Sequence, residues 1–91
     1  MPIRILPGYA LIEQGLNDLA RGYQSVPALL VSVGAFRLRR LGLTVPQVIV
    51  PSPEIRLYRK LQEADPDAAH SRYNALIRTL VSFERAAECA D

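Results

Sequence analysis

Six apolar residues near the C-terminus, Ala69, Tyr73, Leu76, Leu80, Phe83 and Ala87, alternate steps of four and three over almost three heptads. Only an α-helix brings such positions onto one stripe, because its turn is about 3.6 residues. Ile77 and Val81 widen the stripe on one side, and Ser71, Asn74, Arg78, Ser82 and Arg85 fall opposite. A helix over 66–89 exceeds about 30 Å at roughly 1.5 Å per residue, so it sets the length of whatever packs on it.

The rest of the chain divides at punctuation that has a physical cause. Tyr9, Ile12, Leu16, Leu19, Ala20 and Tyr23 predict a helix over 8–22, with Gly22 placed for a left-handed C-cap. Ser25, Pro27 and Gly42 bracket a helix over 26–41: a capping hydroxyl, a first-turn proline and a glycine stop. Its first half, Val26 to Phe36, is apolar on nearly every side, which marks a helix enclosed by neighbours, and the small residues Ser32, Gly34 and Ala35 admit another backbone. Ser52, Pro53 and Glu54 open a helix over 53–64 with Ser52 as the cap, Ile55, Tyr58 and Leu61 inward, and Arg56, Arg59, Lys60 and Glu63 outward. Asp65-Pro66-Asp67 repeats the start signal for the last helix.

The expected fold is all-α, a small four-helix bundle with an extended N-terminal arm and a 43–51 connector. Prolines bound both Pro2–Pro7 and Pro46–Pro51. Two arrangements are open for them, a short paired ribbon or separate apolar connectors on the bundle. The second is favoured because prolines remove ladder donors. The 91 residues suit a single domain over 1–91, and an apolar share of 49% suffices for a core.

Function is less legible. Cys89 is the sole cysteine and His70 the sole histidine, so no cysteine-based metal site, disulfide or zinc set is expected. No glycine-rich phosphate loop or metalloprotease helix is present, Cys89 has no neighbouring base, and Glu84 and Glu88 read as a solvated pair. The expectation is a non-enzyme without metal or cofactor. The apolar run Val26–Phe36 is too short for a bilayer and no leader pattern opens the chain, so no membrane association and a cytoplasmic location are expected.

One stretch stands out. Arg37, Arg39, Arg40, Arg56, Arg59 and Lys60 are opposed between 37 and 60 only by Glu54, a local balance of +5. Such cations suit phosphate or carboxylate recognition, and equally the C-terminal end of a helix or a solvated face. No base-reading motif or aromatic interleaving accompanies them. Arg37 continues the stripe Val26, Leu30, Val33 to Leu41, so its Cα is expected to face inward and its guanidinium to snorkel or to pair with a carboxylate. Tyr9, Tyr23, Tyr58 and Tyr73 are expected in the core or at its edge.

Two functional expectations follow. The leading one is a protein-interaction or oligomerisation module using an apolar surface, either the Ile77–Val81 flank or the proline-bounded connectors. The alternative is a nucleic-acid-associated module that holds phosphate through the 37–60 basic surface.

Overall fold

Burial of four consecutive residues, Ala28, Leu29, Leu30 and Val31, shows which helix the others gather around. The computed structural model describes residues 3–89 and contains five α-helices among them: α1 Tyr9–Ala20, α2 Val26–Val33, α3 Ala35–Arg40, α4 Pro53–Ala64 and α5 Ala69–Glu88. A 3-10 turn at Ile3–Ile5 precedes them, and no β-strand occurs in the described residues. The helix α2 is the hub. On one side it packs along α1 and on another along α4, while α5 closes against α4 and touches α2. The apolar run of the second helix is thus enclosed at Ala28–Val31, as its composition demands, but not at its end, where Phe36 is exposed.

The expected N-terminal arm is not extended where it is described. Ile3–Ile5 coils, Leu6 is buried, and the Tyr9 amide donates to the Leu6 carbonyl at 3.1 Å, drawing the segment back onto α1. Met1 and Pro2 lie outside the described residues.

The turn from α1 to α2 is built as a double lock. Gly22 takes φ 81°, letting Gly22 N–H reach Leu19 O at 3.0 Å and Tyr23 N–H reach Asp18 O at 2.9 Å, the two bonds of a Schellman cap. Ser25 Oγ then accepts from the Ala28 amide at 3.2 Å and donates to Asp18 Oδ2 at 2.6 Å. One hydroxyl caps α2 and ties it to α1. Gly42 ends α3 by the same pair of bonds as Gly22.

Contact between α1 and α2 is close enough to exclude a side chain. A Cβ added at the buried Gly15 would stand 2.3 Å from Pro27 O and 2.5 Å from Val31 Cγ2. The predicted 26–41 helix bends at Gly34, whose φ −96° and ψ 10° separate α2 from α3. The ladder survives, because Gly34 N–H still donates to Leu30 O at 3.2 Å and Leu38 N–H to Gly34 O at 2.9 Å. The cause is steric: α5 leans into the notch, with Leu80 Cδ1 and Glu84 Oε2 at 3.0 and 3.2 Å from where a Gly34 Cβ would sit.

The long C-terminal stripe is realised, with Ala69, Leu80 and Phe83 buried and Tyr73, Leu76 and Ala87 half-buried against the core. Phe83 packs tilted against Tyr9 at 6.3 Å, and Tyr58 meets Tyr73 edge-on at 5.5 Å, closing α4 onto α5.

Several local expectations are corrected. Ser52 does not cap α4: its φ of 48° is left-handed and its side chain makes no cap bond, although Pro53 does occupy the first turn. Asp65 and Pro66 belong to a turn, in which the Asp67 amide donates to Asp65 Oδ1 at 3.2 Å, so the last helix starts at Ala69 instead of 66. On α4 the inward stripe is Leu57, Tyr58 and Leu61; Leu57 is 0% exposed whereas Ile55 is 54% exposed. Tyr23 is also out of the core at 57% exposed, because the chain reverses at Gly22 and the periodicity of α1 no longer applies.

Candidate functional site

Five of the six basic residues of the 37–60 stretch fall into two groups that line different clefts, and Arg39 lines a third beneath the connector. Arg37 and Arg40 share one with Phe36, Leu41 and Glu88 at the end of α3. Arg56, Arg59 and Lys60 line another, between α4 and the Gln24 turn. The single basic patch that proximity in sequence suggests is therefore divided, because α4 packs against α2 and the connector separates it from α3 along the chain.

Half of these cations are engaged with the chain itself. Arg37 is not inward, as its stripe predicts, but exposed; the buried line continues from Leu30 through Gly34 to Leu38 instead. Its Nη2 and Nε donate to Glu88 Oε1 at 2.5 and 3.0 Å, tying α3 to the end of α5. The hydrogen bonds it donates to Glu88 stabilise the charged guanidinium and push Arg37 further up. Arg39 Nη2 donates to Pro46 O at 3.0 Å, and Arg56 Nε donates to Pro51 O at 2.9 Å. These two bonds pin the connector near both ends. Arg56 Nη1 also donates to Gln24 Oε1 at 3.1 Å, which fixes the guanidinium across its cleft. Arg40 lies over the Phe36 ring at 6.0 Å.

The connector is anchored by buried Val45 and lies over Leu19, Ser32 and Ala35. Its far side presents apolar residues to solvent: Ile49 is 93% exposed and Val48 is exposed beside it. Phe36 is 76% exposed on α3. The Ile77–Val81 flank of α5 is less open. Both residues are half-buried, and Ile77 packs against the core.

Glu84 corrects the reading of a solvated carboxylate pair. Glu88 is exposed, but Glu84 is only 4% exposed, set against the Gly34 notch. Burial pushes its carboxyl above the usual range, Arg37 opposes the shift and Glu88 adds to it. It is the one buried charged residue among the described residues.

Elsewhere the chemistry is sparse. His70 is exposed with Asn74 Nδ2 at 3.2 Å from its Nε2, and Cys89 is exposed. Among the described residues no three of His, Cys, Asp and Glu converge as a cation site would require, and no helix is long and apolar enough to cross a membrane. Sequence reasoning overlooked the exposure of Phe36 and the place of Gln24, and read Glu84 as solvated. A lone aromatic inside an apolar run gave no sign of pointing outward, and the positions of the other two depend on helices packing across the fold. No protein-family model, curated protein or solved structure matches this chain.

Proposed function

We propose that this chain, a four-helix scaffold in which α2 and α3 act as one bent rod, is a non-enzymatic protein-interaction module. The observation that carries the reading is Ile49: an isoleucine 93% exposed on a connector pinned by Arg39 and Arg56. A large apolar side chain held out on ordered backbone is a contact waiting for cover, since burying it is worth about 1.5–3 kcal/mol. Val48 extends the patch on the same segment. Ile77 and Val81 supply a second, shallower apolar flank on α5.

The nucleic-acid alternative has weaker support. A phosphodiester track calls for a continuous row of free cations, and here three clefts divide them while Arg37, Arg39 and Arg56 bind the chain's own acceptors.

The test is quantitative capture of partner proteins, with nuclease treatment, by the wild-type chain and by Ile49→Asp, alongside light scattering over a concentration series. Ile49→Asp is expected to lose the captured partner, or the self-association, while keeping the wild-type melting curve. Undiminished capture by Ile49→Asp overturns the connector as the contact. A chain that stays monomeric and captures no protein overturns the module reading altogether.

A further inference from the structure

The cleft between α4 and the Gln24 turn carries more free charge than the scaffold uses. It encloses about 540 Å³ and is lined by Arg56, Arg59 and Lys60, against which stands one acid, Glu63. Among the described residues the ion pair is Arg37–Glu88, so none of these three cations is neutralised. The side chains of Arg59 and Lys60 also make no hydrogen bond among the described residues, and the Arg56 guanidinium is held by Pro51 O and Gln24 Oε1 through Nε and Nη1, leaving Nη2 uncommitted. The wall beside them is apolar, formed by buried Leu29 and by Ile55, which is 54% exposed. Ile55 precedes Arg56 and Arg59 on α4, so one stretch of helix presents an apolar contact and a cationic rim together.

We propose that this cleft is a docking site for an acidic segment of a partner protein, one whose carboxylates meet Arg56, Arg59 and Lys60 while an apolar side chain lies on Ile55 and Leu29. Charge complementarity selects the occupant. A carboxylate accepts from the uncommitted Nη2 of the oriented Arg56 guanidinium and from the free heads of Arg59 and Lys60, and an apolar anchor removes Ile55 from water. Nucleic acid fits less well, because no aromatic residue lines the cleft for a base to stack on and the cationic rim is short. The proposal rests on the interaction-module reading and names the chemistry of its partner.

The test is a titration of the isotope-labelled full chain, followed by nuclear magnetic resonance. The probe is a short synthetic peptide in which Glu and Asp alternate with Leu. Its counterpart with Gln and Asn in place of the acids, and an oligothymidylate of equal length, are run in parallel. The acidic peptide is expected to shift the amides of Gln24, Ile55, Arg56, Arg59 and Lys60. Its affinity should fall about tenfold between roughly 50 mM and 500 mM salt as screening shortens the reach of the charges. The double variant Arg59→Gln/Lys60→Gln, which breaks no internal bond, should weaken it about fivefold with the melting curve unchanged. Equal binding of the Gln/Asn peptide, tighter binding of the oligothymidylate, or no loss in the double variant overturns the proposal. Peptide shifts gathered at Val48 and Ile49 overturn this cleft but leave the module reading standing. Failure of the peptide together with undiminished capture by Ile49→Asp removes both the cleft and the connector.

Discussion

Gly15→Ala is the most direct test of how α1 meets α2. The added methyl would lie 2.3 Å from the Pro27 carbonyl oxygen, 2.5 Å from Val31 Cγ2 and 2.8 Å from the Pro27 carbonyl carbon. Two of those three atoms are backbone, so no rotamer change relieves the clash and α1 must lift from α2 by about 1 Å to restore ordinary van der Waals separation. Overpacking of a tight core costs about 1–3 kcal/mol, and a backbone obstacle places this substitution at the upper end. Helix propensity works the other way, since alanine is favoured over glycine by about 1 kcal/mol inside a helix. The net is a destabilisation of about 2 kcal/mol. Against the total of about 5–14 kcal/mol expected for 91 residues, that is a large fraction. A domain of this size loses about 4–8 °C in Tm per kcal/mol, so thermal melts by far-ultraviolet circular dichroism should fall by about 8–16 °C. Gln14→Ala, exposed next to it on the same helix, carries the propensity gain without the clash and should melt at or slightly above wild type. A Gly15→Ala chain as stable as Gln14→Ala would refute the close approach of the two helices.

Three further outcomes are expected. Glu84→Gln should raise stability at neutral pH: a carboxyl whose folded pKa is raised stabilises the fold while protonated, and that contribution is lost as pH climbs from the unfolded value through the folded one. Urea titrations across mildly acidic to neutral pH should show the wild type falling relative to the variant, and a parallel pair of profiles refutes the burial argument. Leu57→Ala should cost about 2–5 kcal/mol in urea unfolding whereas Ile55→Ala stays within about 0.5 kcal/mol, and the reverse order would restore the inward stripe through Ile55. Ser25→Ala should cost about 1 kcal/mol by the loss of the α2 cap, with hydrogen exchange quickening at the Ala28 amide; unchanged exchange there refutes the cap.

The all-helical character and the longest helix were legible because α5 is buried on one side only, so Leu76, Leu80 and Phe83 repeat without competition from other apolar positions. Ser25, Gly22 and Gly42 were legible for a related reason: a cap is a local bond between neighbours in sequence. On α4, two apolar stripes share Tyr58 and Leu61, one running through Ile55 and one through Leu57, and the period alone does not choose between them. Packing against α2 does. Ser52 failed as a cap because the connector delivers it in a left-handed conformation, set by the path from Pro46 to Pro51 rather than by the residue itself. The Gly34 bend and the burial of Glu84 are one event seen from two helices, and neither has meaning until α5 is laid in place. The basic stretch was visible as composition, but its division among three clefts and the self-directed bonds of Arg39 and Arg56 belong to the folded chain.

Fastening the connector at Pro46 and Pro51 has a thermodynamic result beyond geometry. A loose loop that becomes ordered on association surrenders about 1–2 kcal/mol of backbone freedom per residue, and capture of its side chains is weakened accordingly. Here two guanidinium groups immobilise the flanks of Val48 and Ile49 when the chain folds, so that penalty falls on folding. A partner that covered Ile49 would meet a surface already in shape.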